Sequence, residues 1–405
     1  MRVSGTLPLM AAMVALGLVG TAFDATAQTP TAAPAEVHIG YLGSIVQRPA
    51  LPDYMDPFPA DEGIQGAKLG IADNMTTGRF TKQSFILDEA VAPEGGDVVQ
   101  TAKTLFAKGD KLIVADLAEA DLLKVAAMPE ATGVTFFNAQ ARDDDLRAGQ
   151  CHANILHTIP SRAMLADGLS QYLLAKKWRN IFLVAGPTPA DQAYAAAIRN
   201  SAHKFQLKLA ADKPWTYDPG ARTTDTGHYD VESEVARFTQ GVEYDIMVVA
   251  DEEHAFDYEL SHRGTLARPV AGTIGLTPTS WARPFEQWGA IQAQQRFLKI
   301  AKRWMTERDY AAWLAVRTIG EAATQAKSVD PAELARFIHS DPFQLGGYKG
   351  AKLNYRSWDG QLRQPILLID AYSLVSVSPQ PGFLHQFSEL DTLGVDKPET
   401  KCVLK

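Results

Sequence analysis

The sequence predicts an α/β protein of two lobes, each built on a mostly parallel sheet, and three observations carry that expectation. Strand-like apolar runs alternate with helix-like runs in two successive blocks, 37–138 and 157–272, and alternation of this kind implies parallel pairing through right-handed crossovers. After Trp281 the pattern turns to consecutive helices and then back to strands, so the chain revisits both blocks near its end. Finally, of 405 residues the first 27 read as an export signal, and the remaining 405 − 27 = 378 suit two lobes of ~150–200 residues better than one core.

The signal reading rests on Arg2, the apolar run 7–19 and the small-x-small site Ala25-Thr26-Ala27, with cleavage after Ala27. The apolar run is shorter than the roughly 20 residues that cross a bilayer, no later stretch approaches that length, and no Cys follows the site to carry a lipid. A periplasmic location is therefore expected. Residues 28–36 form a Pro/Ala/Thr leader without periodicity. The first block then reads as strand 37–43, a loop through Pro49, Pro52, Pro57 and Pro59, helix 63–75, strand 84–88, helix 98–108, strand 112–116, helix 118–127 and strand 134–138.

In the second block 157–160 leads into helix 161–176, for which Ser161 supplies an N-cap, and strand 181–185 stops at Gly186-Pro187. Helices 190–205 and 230–240, strand 244–250 and strand 269–272 follow. Helices are then expected over 286–307, 310–327 and 332–339, the last opened by Pro331, before strands 353–355, 364–369 and 374–378 and an irregular tail, 379–405. This assigns 37–150 plus 280–340 to lobe 1 and 151–279 plus 341–378 to lobe 2, with hinge crossings near Cys151, Thr277 and Asp341. Ligands of open parallel sheets sit beyond the carboxyl ends of strands, so the residues after Leu42, Val114, Phe137, Val184 and Val249 are expected to line a cleft between the lobes.

Composition narrows the function. A hydrophobic fraction of 46%, a charged fraction of 21% and a net charge of −8 describe a globular protein with neither nucleic acid nor an anionic bilayer as partner. Cys151 and Cys402 make one disulfide the simplest reading in an oxidising compartment, two separate buried thiols being the alternative. The chain has no phosphate-binding loop, no Gly-x-Gly-x-x-Gly, no Gly-x-Ser-x-Gly and no His-Glu-x-x-His, and it gives no reason to expect an enzyme or a cofactor. His254 and His262 lie eight apart, two helical turns, and form no metal motif.

Several segments resemble the periplasmic solute-binding proteins of branched-chain-amino-acid-type ABC importers. They are Gly66-Ala67-Lys68-Leu69, His157-Thr158-Ile159-Pro160-Ser161-Arg162-Ala163-Met164, Trp178-Arg179-Asn180-Ile181 and Ala193-Tyr194-Ala195. Longer runs, Arg268-Pro269-Val270-Ala271-Gly272, Glu286-Gln287-Trp288-Gly289-Ala290 and Trp358-Asp359-Gly360-Gln361-Leu362-Arg363-Gln364-Pro365, are similar to the subgroup associated with PQQ-dependent alcohol dehydrogenase systems. The resemblance implies two Rossmann-like lobes, a cleft and a three-crossover hinge, the type I periplasmic-binding fold. It also implies a small ligand captured by hinge closure and delivered to an ABC permease and ATPase in the inner membrane. A ligand sensor or accessory partner of the dehydrogenase system is the alternative.

Two acidic groups, after the third and fourth strands, depart from the amino-acid binders, in which hydroxyl and N–H donors hold a ligand carboxylate, and a third lies on the other lobe. Asp116 with Glu119, Asp143-Asp144-Asp145, and Asp251-Glu252-Glu253 stand at predicted strand ends, where they would repel that carboxylate. They suit a cation or metal-bearing ligand, with Asp143, Asp144, Asp251 and Glu252 as candidate metal ligands. The alternative is that Asp143–Asp145 and Asp251 cap helices. Tyr41 and Tyr194 join the expected ligand contacts, Tyr194 through its match to a ligand-facing tyrosine of the family, while Trp288 reads as core.

Overall fold

The computed structural model describes residues 34–48, 57–216, 231–261 and 263–404. The expected signal segment, most of the leader and His262 lie outside the described residues. Strand β1 (Ala35–Ser44) begins two residues before the expected strand start at Val37 and is followed by α1 (Ile64–Thr81), β2 (Gln83–Ala92), α2 (Val98–Lys108) and β3 (Leu112–Asp116). Next come α3 (Glu119–Ala126), β4 (Thr135–Asn138) and β5 (Ile155–His157). These strands form one parallel sheet in the order β2-β1-β3-β4-β5. Its central strand β3, Leu-Ile-Val-Ala-Asp, is buried throughout, as a strand covered by helices on both faces must be.

The second sheet is also parallel. It follows α4 (Arg162–Ala175) and contains β6 (Asn180–Ala185), β7 (Lys208–Pro214), β8 (Ile246–Ala250) and β9 (Val270–Gly272) in the order β7-β6-β8-β9. Helices α5 (Pro189–Lys204), α6 (Val231–Thr239) and α7 (Asp257–Leu260) connect these strands. A third, antiparallel sheet joins β10 (Thr277–Thr279) to two strands from the end of the chain. Before those strands the chain forms α8 (Ala290–Ala301), α9 (Glu307–Ala326), α10 (Pro331–Ile338) and a small hairpin, β11 (Leu345–Gly346) with β12 (Lys352–Leu353). The two strands that complete the third sheet are β13 (Ile366–Ile369) and β14 (Leu374–Ser378).

The helical return packs α9 on the first lobe, where Tyr310, Trp313, Val316 and Ile319 share a core with Ile39, Leu69, Val114 and Phe137. Gly66 on α1 makes this approach possible: a Cβ there would lie 1.8 Å from the Asp309 carbonyl oxygen. The sheets refine the expected boundaries. Strand β5, assigned to lobe 2, pairs with β4 in the first sheet. The segment 341–378 divides between cores: Phe343, Leu345, Leu353 and Leu367 join the first, Ile366 and Leu368 the second, because successive residues of β13 face opposite ways.

One expected helix, 286–307, is interrupted. Lys302 adopts a left-handed conformation (φ 61°) that ends α8, and Thr306 with Asp309 forms a capping box that starts α9. Trp288, expected in the core, is 67% exposed, because its own left-handed backbone (φ 55°) turns the indole onto Gly350 instead. Cys151 and Cys402 form the disulfide that the even cysteine count predicts, with Cα atoms 5.7 Å apart.

Candidate functional site

The carboxyl ends of β1, β3 and β4 and the first turn of α9 converge on one side of the cleft. Asp116, the last residue of β3, is 2% exposed. A carboxylate so buried requires partners. Arg308 supplies two donors to its Oδ1, Nε at 3.1 Å and Nη2 at 2.7 Å, and the Tyr41 hydroxyl donates to Oδ2 at 2.6 Å. The same guanidinium reaches the Gln140 side-chain oxygen at 3.0 Å and Glu62 at 3.2 Å, while Arg48 donates to Glu62 at 2.8 Å. Burial, aided by the Asp116 charge, holds the Tyr41 hydroxyl well above the ordinary phenol range, so it remains a donor at neutral pH. Gly63 closes this corner with φ 82°; a Cβ there would lie 2.2 Å from Asp116 Oδ2.

A second cluster sits where the chain crosses between lobes. Arg162 opens α4 beneath the Ser161 cap, and its fork donates to Glu252 Oε1 at 2.9 Å and Oε2 at 2.7 Å. Its remaining nitrogen donates to Asp143 at 2.7 Å. Glu252 follows β8 of the second sheet and Asp143 follows β4 of the first, so one guanidinium bridges the lobes. Arg142 pairs with Glu307, whose other oxygen accepts the Ser280 N–H. Tyr194 is 3% exposed and senses the charges of Glu252, Arg142 and Glu307; burial pushes its hydroxyl above the ordinary range. At the mouth, Phe58 of the first lobe stacks on His254 of the second with ring centroids 6.4 Å apart, and Arg48 lies 4.6 Å over the Phe58 ring.

The site residues expected from sequence thus fall into two kinds. Tyr41 and Asp116 come together, and Asp143 and Glu252 meet through Arg162. Asp144 and Asp251 instead serve backbone amides: Asp144 accepts from Ala163 at the start of α4 at 2.9 Å, and Asp251 from Phe256 and Asp257 at 2.6 and 2.9 Å. Both bind N–H groups at helix starts, as in the capping alternative, but the N-cap residues of α4 and α7 are Ser161 and Phe256. The carboxylates of these two clusters are largely paired. Glu62, Asp116, Asp143, Glu252 and Glu307 are matched by Arg48, Arg142, Arg162 and Arg308, five carboxylates against four guanidiniums. Among the described residues, the donor atoms of Asp143, Asp144, Asp251 and Glu252 do not gather into a metal-ligand set.

Sequence reasoning missed Glu62, Arg308 and Glu307 as members of the site, and passed over Arg162 as its central cation. The signal for two of them was present: Thr306-x-x-Asp309 marks the start of a helix, which puts Glu307 and Arg308 in its first turn rather than in the preceding helix. Glu62 and Arg162 carried no such local mark, since their partners stand 246 and 90 residues away.

No protein-family model matches the chain, and no curated protein matches it in sequence. Solved structures do resemble it. A branched chain amino acid ABC transporter periplasmic ligand-binding protein from Burkholderia xenovorans superimposes with a TM-score of 0.68 at 14% identity, covering 84% of this chain and 95% of that one. An ABC transporter substrate-binding protein from Desulfitobacterium hafniense in complex with Leu gives 0.62 at 14% identity, with 84% and 99% covered. A solute-binding protein of an ABC transporter from R. palustris in complex with benzoate gives 0.61 at 10% identity, with 91% and 100% covered. The two parallel sheets are therefore those of the type I periplasmic-binding fold.

Proposed function

We propose that this chain is the exported substrate-binding component of an ABC importer, cleaved after Ala27, which captures a small solute between its lobes and hands it to a membrane permease and its ATPase. The observation that carries the reading is the bridge from Arg162 to Glu252 on one lobe and Asp143 on the other, beside the buried Tyr194. Such a bridge stabilises a closed state, and a ligand that binds both lobes adds to it. The fold shared with proteins that hold Leu and benzoate supports a small organic ligand. The long motifs around Trp288 and Trp358 support a link to a PQQ-dependent alcohol dehydrogenase system.

A cationic or metal-bearing ligand is the second reading, favoured by the one-carboxylate excess in the cleft. Such a ligand replaces Arg162 between Asp143 and Glu252. Thermal-shift screening of residues 28–405 against leucine, benzoate, short alcohols, PQQ, calcium and a lanthanide separates the readings, because a ligand that binds only the folded chain raises its melting temperature. A shift with an organic solute that disappears in Arg162→Met supports the first reading. A calcium or lanthanide shift lost in Asp143→Asn supports the second. No shift with any of them overturns solute capture for these classes.

A further inference from the structure

On the far side of the first sheet from the cleft, β1, β2 and the turn before β3 assemble a different group. His38, Asp88 and Asp110 each place one potential ligand atom within 4.8 Å of the other two. His38 Nδ1 lies 3.0 Å from Asp88 Oδ2, and Lys108 donates to the opposite oxygen, Asp88 Oδ1, at 2.6 Å. Asp110 is unlike its neighbours: it is 1% exposed, and neither carboxylate oxygen has a hydrogen-bond partner. An ionised carboxylate is not ordinarily left in that condition, because burial without a partner costs several kcal/mol.

The backbone explains how the three residues meet. Parallel register sets Gly40 of β1 opposite Asp88 on one side and Ile113 on the other. A Cβ at Gly40 would press on Ile113 at 3.1 Å and Leu105 at 3.2 Å, with the Asp110 Cβ at 3.5 Å, so the absent side chain leaves Asp110 its place beneath His38. The Asp110 N–H donates to the Leu105 carbonyl at 3.2 Å, which fixes the turn that carries it. Asp88 pairs with Gly40 and Asp116 with Gly43, so three residues of β1, roughly 10 Å at ~3.3 Å per residue, separate this group from Asp116 and make it distinct from the cleft cluster.

We propose that His38, Asp88 and Asp110 bind a divalent first-row transition-metal ion. Two carboxylates and a neutral imidazole bring a charge of −2 to the ion, and the imidazole favours zinc or its neighbours over calcium or magnesium. Zinc bonds of ~2.0–2.2 Å require the donors to close in from their present spacing. His38, whose side chain is 47% exposed, is the residue free to make that movement. Asp88 meets the ion through Oδ2 while Lys108 keeps Oδ1, and Asp110 gains the partner it lacks. The ion ties the first strand of the fold to both of its neighbours.

The test is titration of tag-free, chelator-stripped residues 28–405 with Zn²⁺ by calorimetry and with Co²⁺ by absorption. The expected result is one equivalent per chain, with affinity at least tenfold weaker in His38→Gln and in Asp110→Asn and unchanged in the cleft variant Asp143→Asn/Glu252→Gln. Metal-free Asp110→Asn melts no lower than the native chain, because it removes an unpaired buried charge. His38→Gln, altered at an exposed position, carries the comparison if Asp110→Asn fails to fold. Absence of binding by the native chain, equal binding by His38→Gln, or loss of binding only in the cleft variant overturns the proposal, and the last of these assigns the metal to the cleft.

Discussion

Arg162 forks onto Glu252 and reaches Asp143 while its own side chain is only 8% exposed, so its removal strands two carboxylates in a partly dry site. Breaking a fully buried pair costs ~3–5 kcal/mol, and the partners' partial exposure reduces this to about 1–3 kcal/mol. Arg162→Met should therefore lower the urea midpoint clearly, whereas Arg162→Lys, which keeps the charge but loses the fork, should lose less. Equal stability of Met and native chains would show that the bridge contributes nothing. Lys349 tests the opposite situation, a cation without an anion. Its ammonium donates to the Pro365 carbonyl at 2.8 Å, and burial pushes its pKa down to about 7 from 10.5. Below pH 7 both folded and unfolded chains carry the proton and the full burial penalty is present. Between pH 7 and 10.5 the folded chain binds fewer protons than the unfolded one, so this residue makes stability rise with pH. Lys349→Met should thus be more stable than the native chain by on the order of 2 kcal/mol at pH 6, with the lost bond to Pro365 partly offsetting the gain, and the advantage should shrink towards pH 10. Urea melts at the two pH values check it; a pH-independent difference would refute the buried charge.

Helix α9 shows how one element's start organises several others. Asp309 closes the capping box with Thr306, accepts the Gly63 N–H at 2.8 Å and pairs with Arg303, all while fully buried. One carboxylate therefore anchors the start of α9, the entry to α1 and the beginning of the loop that precedes α9. Asp309→Ala should cost about 3–5 kcal/mol, because Arg303 and two backbone donors lose their acceptor together. A cost comparable to an ordinary cap loss, about 1 kcal/mol, would mean that water substitutes for it. The same element marks the limit of what sequence reveals. Long, strongly patterned elements such as α2, α4 and β8 were legible because capping residues and continuous apolar runs are local signals. Strand β7, Lys-Leu-Ala-Ala-Asp-Lys-Pro, was not, because it is an edge strand whose polar side chains remain largely exposed. Strand β10 is three residues long and exists through pairing with β13, about ninety residues later. The acidic groups were legible as residues and not as roles: nothing local distinguishes Asp144, which accepts the Ala163 N–H at the start of α4, from Asp143, which meets Arg162.

At the scale of the molecule, the tail and the cleft are secured by different means. Arg356 and Arg363 both reach Asp391, and the Gly394 N–H donates to Asp167, so the tail is held as far as residue 394 before the disulfide is considered. Replacing Cys151 and Cys402 with Ser should accordingly free only the last few residues to proteolysis, with a stability loss at or below the lower end of the usual 2–4 kcal/mol. Release of the whole tail from residue 379 onward would contradict that anchoring. Among the described residues the Arg162 bridge and the Phe58–His254 stack cross between the lobes, whereas the Arg308 cluster lies on the first lobe. On the proposed reading of hinge closure, few contacts among the described residues set the balance between open and closed states. A change of 1–3 kcal/mol in that balance alters the ratio of the two states by 5–150-fold, and the apparent affinity for a ligand of the closed state falls with the closed fraction. Arg162→Met combined with Phe58→Ala should increase the radius of gyration of the unliganded protein in solution scattering and weaken solute binding, while a saturating ligand restores the compact form. Arg308→Met, which breaks the cluster within one lobe, should lower stability without changing the scattering curve. Identical scattering from the native chain and the double variant would show that closure does not depend on the contacts that cross between the lobes.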